Sequence, residues 1–301
     1  MNAPRRPPRR RVDGVLVLDK PVGMTSNGAL QAARRLLNAE KAGHTGTLDP
    51  LASGLLPLCF GEATKFAGYL LDADKTYEAQ VRLGVRTDTG DAEGLVVETR
   101  PVQCGAAEVA QVLRRFEGPI AQIPPMHSAL KRDGRPLYEY AREGRTVERA
   151  AREVVIHGIE LLDFAGARFS IRVACSKGTY MRTLAEDVGA ALGCGAHLTA
   201  LRRTAIGALS LAGSVTLPEF DAMTREARDA RLAPVDCFLL DLPVLDLDAG
   251  AAARFNHGQA VAAQGRGPGR VRVYGEGRLL GVAEVRPDGL AHPRRLVASA
   301  G

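Results

Sequence analysis

The sequence predicts an α+β protein: one large domain of interleaved strands and helices, followed by a small β-rich module. Three observations predict it. Lys75–Leu83 (KTYEAQVRL) alternates as a half-buried strand does. Asn27–Leu37 and the stretch after Thr179 instead carry apolar residues at helical spacing: Leu30, Ala33 and Leu37 in the first, Met181, Leu184, Val188 and Leu192 in the second. Beyond about residue 244, short alternating segments separated by Gly275-Glu276-Gly277 and Pro287-Asp288-Gly289 read as hairpin strands.

In chain order, residues 1–12 (MNAPRRPPRRRV) hold five arginines and no acid, and read as a disordered basic tail. Gly14–Lys20 is a strand, Pro21–Met24 a turn, and Ser26 the expected N-cap of the first helix. Gly43–Pro50 (GHTGTLDP) is too rich in turn formers for helix or strand. Gly43 and Gly46 permit positive φ, and Pro50 biases Asp49 away from helical geometry. The loop therefore presents an acid on a stiff turn, with His44 five residues earlier and Leu51, Leu55, Leu56 and Leu58 as apolar anchors. A buried strand over Leu55–Phe60 and a helix over Glu62–Leu71 follow.

In Lys75–Leu83 the ring of Tyr77 shares a face with Ala79, Val81 and Leu83. A polar turn (Thr87–Gly94), a strand (Leu95–Glu98) and a helix (Ala106–Phe116) come next. Residues 122–152 break the pattern. Pro124–Arg152 carries seven basic residues against four acidic, interleaved with Tyr138 and Tyr140, and reads as an inserted basic flap. Two strands, Val154–Phe164 and Ala167–Cys175, lead to Ser176-Lys177-Gly178-Thr179. Thr179 is the expected N-cap of the next helix, with Arg182 in its first turn and off the apolar stripe. Lys177 and Arg182 beside a helix start predict an anion site. Ala196–Leu211 adds a strand. After the DLPVLDLD linker come a helix (Ala249–Phe255) and the strands Arg270–Tyr274, Arg278–Val285 and Ala291–Val297.

At 301 residues, 46% hydrophobic and 25% charged, the composition is that of a globular protein. No apolar run approaches the roughly 20 residues that span a bilayer, and the basic N-terminus lacks the apolar core of a secretory signal. Five scattered cysteines without a C-x-x-C pair predict reduced, buried thiols in a cytoplasmic protein and no zinc site. The net charge of +6 is unevenly spread: the tail is wholly basic, and residues 249–301 hold eight arginines against three acids. A polyanion partner would be held by local patches.

Several long segments carry a resemblance: GVLVLDKPVGMTSN (14–27), AGHTGTLDPLASGLLPLCFGEATK (42–65), KTY (75–77), RTDTGDAEG (86–94), CSKGTYMRTLAEDVG (175–189) and LRRTAIG (201–207). On these the chain resembles the bacterial tRNA pseudouridine synthase B (TruB) family, which isomerises the uridine at position 55 of the tRNA T-loop. The resemblance implies a mixed, mostly antiparallel sheet with flanking helices over 13–243, plus a PUA-type RNA-binding module over 244–301. It implies a monomer that acts on the tRNA T-stem-loop without guide RNA. By it, Asp49 matches the catalytic aspartate, Tyr77 the tyrosine that stacks on the target base, and Arg182 the partner of the aspartate. Tyr180 falls in the matching pocket, His44 fills the space of the flipped nucleotide, and Asp91 lies near the extruded bases. Lys20 and Lys65, inside matched segments, join the expected substrate-binding set.

The chemistry suits these residue types. Uridine to pseudouridine breaks N1–C1′ and joins C5 to C1′; nothing is oxidised or consumed, so no cofactor or metal is expected. A carboxylate is needed, as nucleophile toward C6 or C1′ or as base at C2′. Extruding a stacked base costs a few kcal/mol, which stacking on Tyr77 and insertion of His44 would partly return. Two other functions fit the same segments: an RNA-folding protein with incidental activity, and a guide-RNA-dependent synthase acting on ribosomal RNA.

Overall fold

The computed structural model describes residues 8–298. Its main sheet has ten strands. Along the principal path the order is Val215–Thr216, Gly14–Lys20, Ala52–Phe60, Ala196–Ile206, Lys75–Leu83, Arg168–Cys175, Arg152–Ala165 and Gly118–Gln122. Two neighbouring pairs are parallel, Gly14–Lys20 with Val215–Thr216 and Ala52–Phe60 with Ala196–Ile206; the others on this path are antiparallel. The fold is therefore α+β with a mixed, mostly antiparallel sheet, as expected.

Lys75–Leu83 lies in the middle of this sheet because its alternation buries Ala79, Val81 and Leu83 against the helices Ala106–Arg114 and Met181–Ala191. A second core holds Leu16, Leu18, Leu56 and Leu58 under the helix Ser26–Leu36. Tyr77 packs against both cores, so it sits where they meet. The smaller sheet runs Val244–Leu247, Gly269–Gly275, Arg278–Val285, Leu290–Leu296 and Val261–Ala262 around Phe255 and Val273. It rests on the large domain through Phe66, Leu239 and Val282. Among the described residues no helix is long and apolar enough to cross a membrane.

Several local expectations change. Residues 1–7 of the predicted disordered tail lie outside the described residues, but the tail is ordered from Pro8. Arg10 pairs with Asp229 at 2.6 Å and exchanges main-chain bonds with Asn38 and Glu40, and Val12 is buried. The first helix is capped by Thr25, whose side chain accepts from Gly28 N; Ser26 is instead buried, with its hydroxyl turned to the Asp49 loop. Thr179 does not cap the later helix, since its hydroxyl donates to Ser176 O and Tyr180 takes the cap position. Glu62–Leu71 is a 3₁₀ turn (Gly61–Lys65) and a separate helix (Ala67–Asp72), broken at the fully buried Phe66. Ala42–His44 is a short strand on Leu58–Phe60, so the loop proper begins at Thr45. The basic flap folds as a hairpin, Lys131–Arg132 with Arg135–Pro136, and a helix, Leu137–Arg142. Cys59, Cys175 and Cys194 are buried, while Cys104 and Cys237 are only partly so.

Candidate active site

The Asp49 loop is held from several sides. The Ser26 hydroxyl accepts from Leu48 N at 2.8 Å and donates to Leu48 O at 3.1 Å. Gly23 N donates to Pro50 O, Thr45 N to Pro57 O and Ala52 N to Asp49 O. With its main chain fixed on both sides, Asp49 leaves a half-exposed carboxylate at the mouth of a cleft of about 260 Å³. Tyr77, Tyr180, Arg182, Leu201 and Arg203 also line this cleft.

Arg182 meets the Asp49 carboxylate at 2.9 Å. Although off the apolar stripe, its side chain is only 7% exposed. It is buried because it sits between two acids: Nε lies 3.6 Å from Asp91, and Nη1 and Nη2 donate to the carbonyls of Thr89 and His127. Asp91 accepts from the Thr89 hydroxyl and from Glu93 N. It does not line the cleft but braces Arg182 from behind. The expected convergence of Lys177 and Arg182 on an anion is absent; Lys177 reaches back 2.7 Å to Asp72 on the surface.

Tyr77 is partly buried, and desolvation pushes its phenol above the ordinary value while the Arg203 guanidinium opposes the shift. Burial likewise raises Tyr180. The main chain of Tyr180 is clamped by the buried Gln122, whose side chain accepts from its N–H at 2.9 Å and donates to its carbonyl. Composition gave no signal for Gln122; only its place at the root of the flap makes it relevant. Arg203, inside the quoted LRRTAIG segment but given no role there, is fully buried and faces the cleft.

His44 lies outside the cleft wall, on the strand beside the loop. Its ring is half-buried, burial and then Arg203 lower its pKa, and its Nδ1 has no partner among the described residues. Two expected binding residues, Lys20 and Lys65, do not line this cleft. Lys20 is fully buried and donates to the carbonyls of Pro21 and Met24, bracing the turn before the first helix. Lys65 pairs with Glu62 at 2.6 Å and donates to Leu296 O, tying the large domain to the small sheet. Both cations are engaged by their own surroundings, which the matched segments did not reveal. Among the described residues no group of three or more His, Cys, Asp or Glu side chains has the geometry to hold a metal ion.

The fold is shared with two solved structures. The "Crystal Structure of a Cbf5-Nop10-Gar1 Complex" matches with TM-score 0.72 and 30% identity, over 90% of this chain and 78% of that one. The "Structure of H/ACA RNP bound to a substrate RNA containing 2'-deoxyuridine" matches with TM-score 0.73 and 26% identity, over 95% and 85%. Residues 34–181 match the TruB family pseudouridylate synthase N-terminal domain. Residues 182–248 match the tRNA pseudouridylate synthase B C-terminal domain, and 243–297 the C-terminal domain of pseudouridine synthase II TruB. Fold and sequence together make the chain a pseudouridine synthase, an enzyme that isomerises uridine. Its relatives narrow this further. A Cupriavidus metallidurans protein named tRNA pseudouridine synthase B is 61% identical over 98% of this chain and 97% of its own. A Burkholderia mallei protein of the same name is 61% identical over 97% and 99%. The chain belongs to the TruB family.

Proposed function

We propose that this enzyme isomerises the uridine at position 55 in the T-loop of tRNAs, extruding the base into the Asp49 cleft. One observation carries the reading: the Asp49 carboxylate and the Arg182 guanidinium meet at 2.9 Å above a cleft lined by Tyr77. Names of relatives that span almost the whole chain support tRNA as the substrate.

In the reaction N1–C1′ breaks, the uracil turns, C5 bonds to C1′, and the proton on C5 passes to N1. Asp49 supplies the carboxylate. Arg182 aims it, and Asp91 with the carbonyls of Thr89 and His127 keeps Arg182 from following solvent. Tyr77 stacks on the uracil from the floor of the cleft and Tyr180 forms its side. His44, just ahead of the loop, fills the gap the extruded nucleotide leaves in the RNA. The flap at 122–152 and the small sheet from residue 244 onward hold the RNA by its phosphates. The enzyme acts as a monomer in the cytoplasm and takes no guide RNA.

Incubating purified protein with an unmodified tRNA transcript, without guide RNA, tests this directly. Pseudouridine is expected at position 55 for the intact chain, and none for Asp49→Asn, in which the loop keeps its main-chain bonds. Modification that requires a guide RNA, or an Asp49→Asn variant that turns over at more than about a hundredth of the normal rate without deamidating, would sink the reading.

A further inference from the structure

The strand Ala52–Phe60 is paired along one edge without interruption, Gly54 through Phe60 lying against Gly14–Lys20. Its other edge is divided. Ala196–Ile206 covers Ala52–Gly54 and Ala42–His44 covers Leu58–Phe60, so among the described residues no strand stands against Leu55, Leu56 and Pro57. The Asp49 loop, which joins Ala42–His44 to Ala52–Phe60, crosses this gap. Carbonyls facing an unfilled gap inside a sheet must find donors or be lost at a cost of about 1–3 kcal/mol each. Pro57 O is met by Thr45, through both its N–H and its hydroxyl. Leu55 O is met by a side chain, Arg203 Nε at 2.8 Å.

The same guanidinium reaches the loop, Nη2 donating to Gly46 O at 3.3 Å. Gly46 stands three residues before Asp49 with φ +87, a conformation in which its carbonyl turns toward the arginine. Arg203 lies directly opposite Tyr77 on one side and Gly54 on the other. The two chains approach so closely there that a Cβ on Gly54 would come within 2.2 Å of Arg203 O. Alternation sets its direction: Leu201 and Arg203 face the cleft, whereas Arg202 turns away and pairs with Asp19. Arg203 is 1% exposed, and no carboxylate pairs with it among the described residues. Were its task only to fill space, an apolar side chain would do so without the desolvation cost of a buried cation.

We infer that Arg203 is a positioning residue for the isomerisation, standing in for the missing strand and fixing, through the Gly46 carbonyl, the separation of Asp49 from Tyr77. The inference rests on Asp49 and Tyr77 acting as proposed above. The fork of the guanidinium is what the task needs, because one rigid planar group must span a strand carbonyl and a loop carbonyl together. Lysine keeps the charge but has a single ammonium on a flexible stem.

The test measures tRNA affinity, melting temperature and single-turnover rate at saturating tRNA for wild type, Arg203→Gln, Arg203→Lys, Arg203→Ala and Asp49→Asn. Arg203→Gln is expected to turn over about a hundredfold more slowly at saturation while binding tRNA within about threefold of wild type, since a displacement near 1 Å is enough for such a loss. Arg203→Lys is expected to fall between the two. Guanidinium ion at millimolar concentration should raise the rate of Arg203→Ala, where urea should not. A normal saturating rate in Arg203→Lys, or a loss confined to affinity, overturns the inference. So does a rate loss that only follows the unfolded fraction. Should Arg203→Gln fail to fold, Arg203→Lys decides alone. If Asp49→Asn stays active, the reading of the site has failed; if it is dead while the arginine variants are normal, only this inference has.

Discussion

Arg182 illustrates how far one side chain departs from its pattern. Helical spacing puts it off the apolar stripe, which predicts a surface cation whose removal leaves the fold intact. In the structure it is buried between Asp49 and Asp91. Arg182→Met should therefore abolish activity and also destabilise the protein by about 3 kcal/mol, because Asp91 is left buried without its cation. Asp49→Asn, by contrast, removes a half-exposed carboxylate and should melt close to wild type. Comparing the two melting curves checks the contrast, and equal stabilities would show that Asp91 is satisfied by Thr89 and Glu93 alone. Loop chemistry marked Asp49, alternation placed Tyr77, and a matched segment named Arg182 against its helical spacing; the structure brings the three to one cleft. Arg203 and Gln122 were not, since each works on main-chain carbonyls or amides that leave no mark in a side-chain pattern.

At the scale of elements, strands were read better than their ends. Alternation marked Lys75–Leu83 and Arg278–Val285 with the limits the structure gives them. Caps were misplaced by one residue. Thr25 and Ser26 offer adjacent hydroxyls for one role and tertiary partners decide, whereas Tyr180 holds the cap position by its extended backbone, without a side-chain bond, while the Thr179 hydroxyl turns to Ser176 O. In the first case the rejected hydroxyl is the one that grips Leu48 and so steadies the Asp49 loop. The turn between the first strand and the first helix hides a second such device, Lys20. Burial pulls its pKa from 10.5 to about 8, against the pull of Asp49. Between those two values the unfolded chain holds a proton that the native chain has released, so this group makes stability rise with pH across that window. Below about 8 both states are protonated and the native state bears the full cost of the buried charge. The melting advantage of a Lys20→Met variant over wild type, whatever its size at pH 7, should shrink between pH 8 and 10; a constant offset would mean Lys20 stays charged throughout.

Across the whole molecule, charge and sheet order matter most. Arg270, Arg294 and Arg295 of the small sheet line a hollow of about 600 Å³ shared with Lys65 and Tyr69 of the large domain. Replacing the three arginines with glutamine should weaken tRNA binding and flatten the slope of log affinity against log salt by about two units. Affinity that is flat with salt in the intact enzyme would refute phosphate contacts there. Clipping off the small sheet would be a poorer test, since Phe66 and Leu239 would lose the cover of Val282. The order of strands was beyond the reach of pattern: nothing local says that Ala196–Ile206 inserts between Ala52–Phe60 and Lys75–Leu83. That insertion has a kinetic meaning. The middle of the sheet is completed by a strand more than a hundred residues downstream of both its neighbours, so loop closure must be paid before the reward of pairing. During synthesis the Asp49 loop would emerge long before Arg203 and lie over an open gap, leaving the nascent chain folded in parts yet unable to modify RNA. Pulse-labelled hydrogen exchange during refolding should find the amides of Lys75–Leu83 and Ala196–Ile206 gaining protection together, and earlier protection of Lys75–Leu83 would show that the site's two walls form independently.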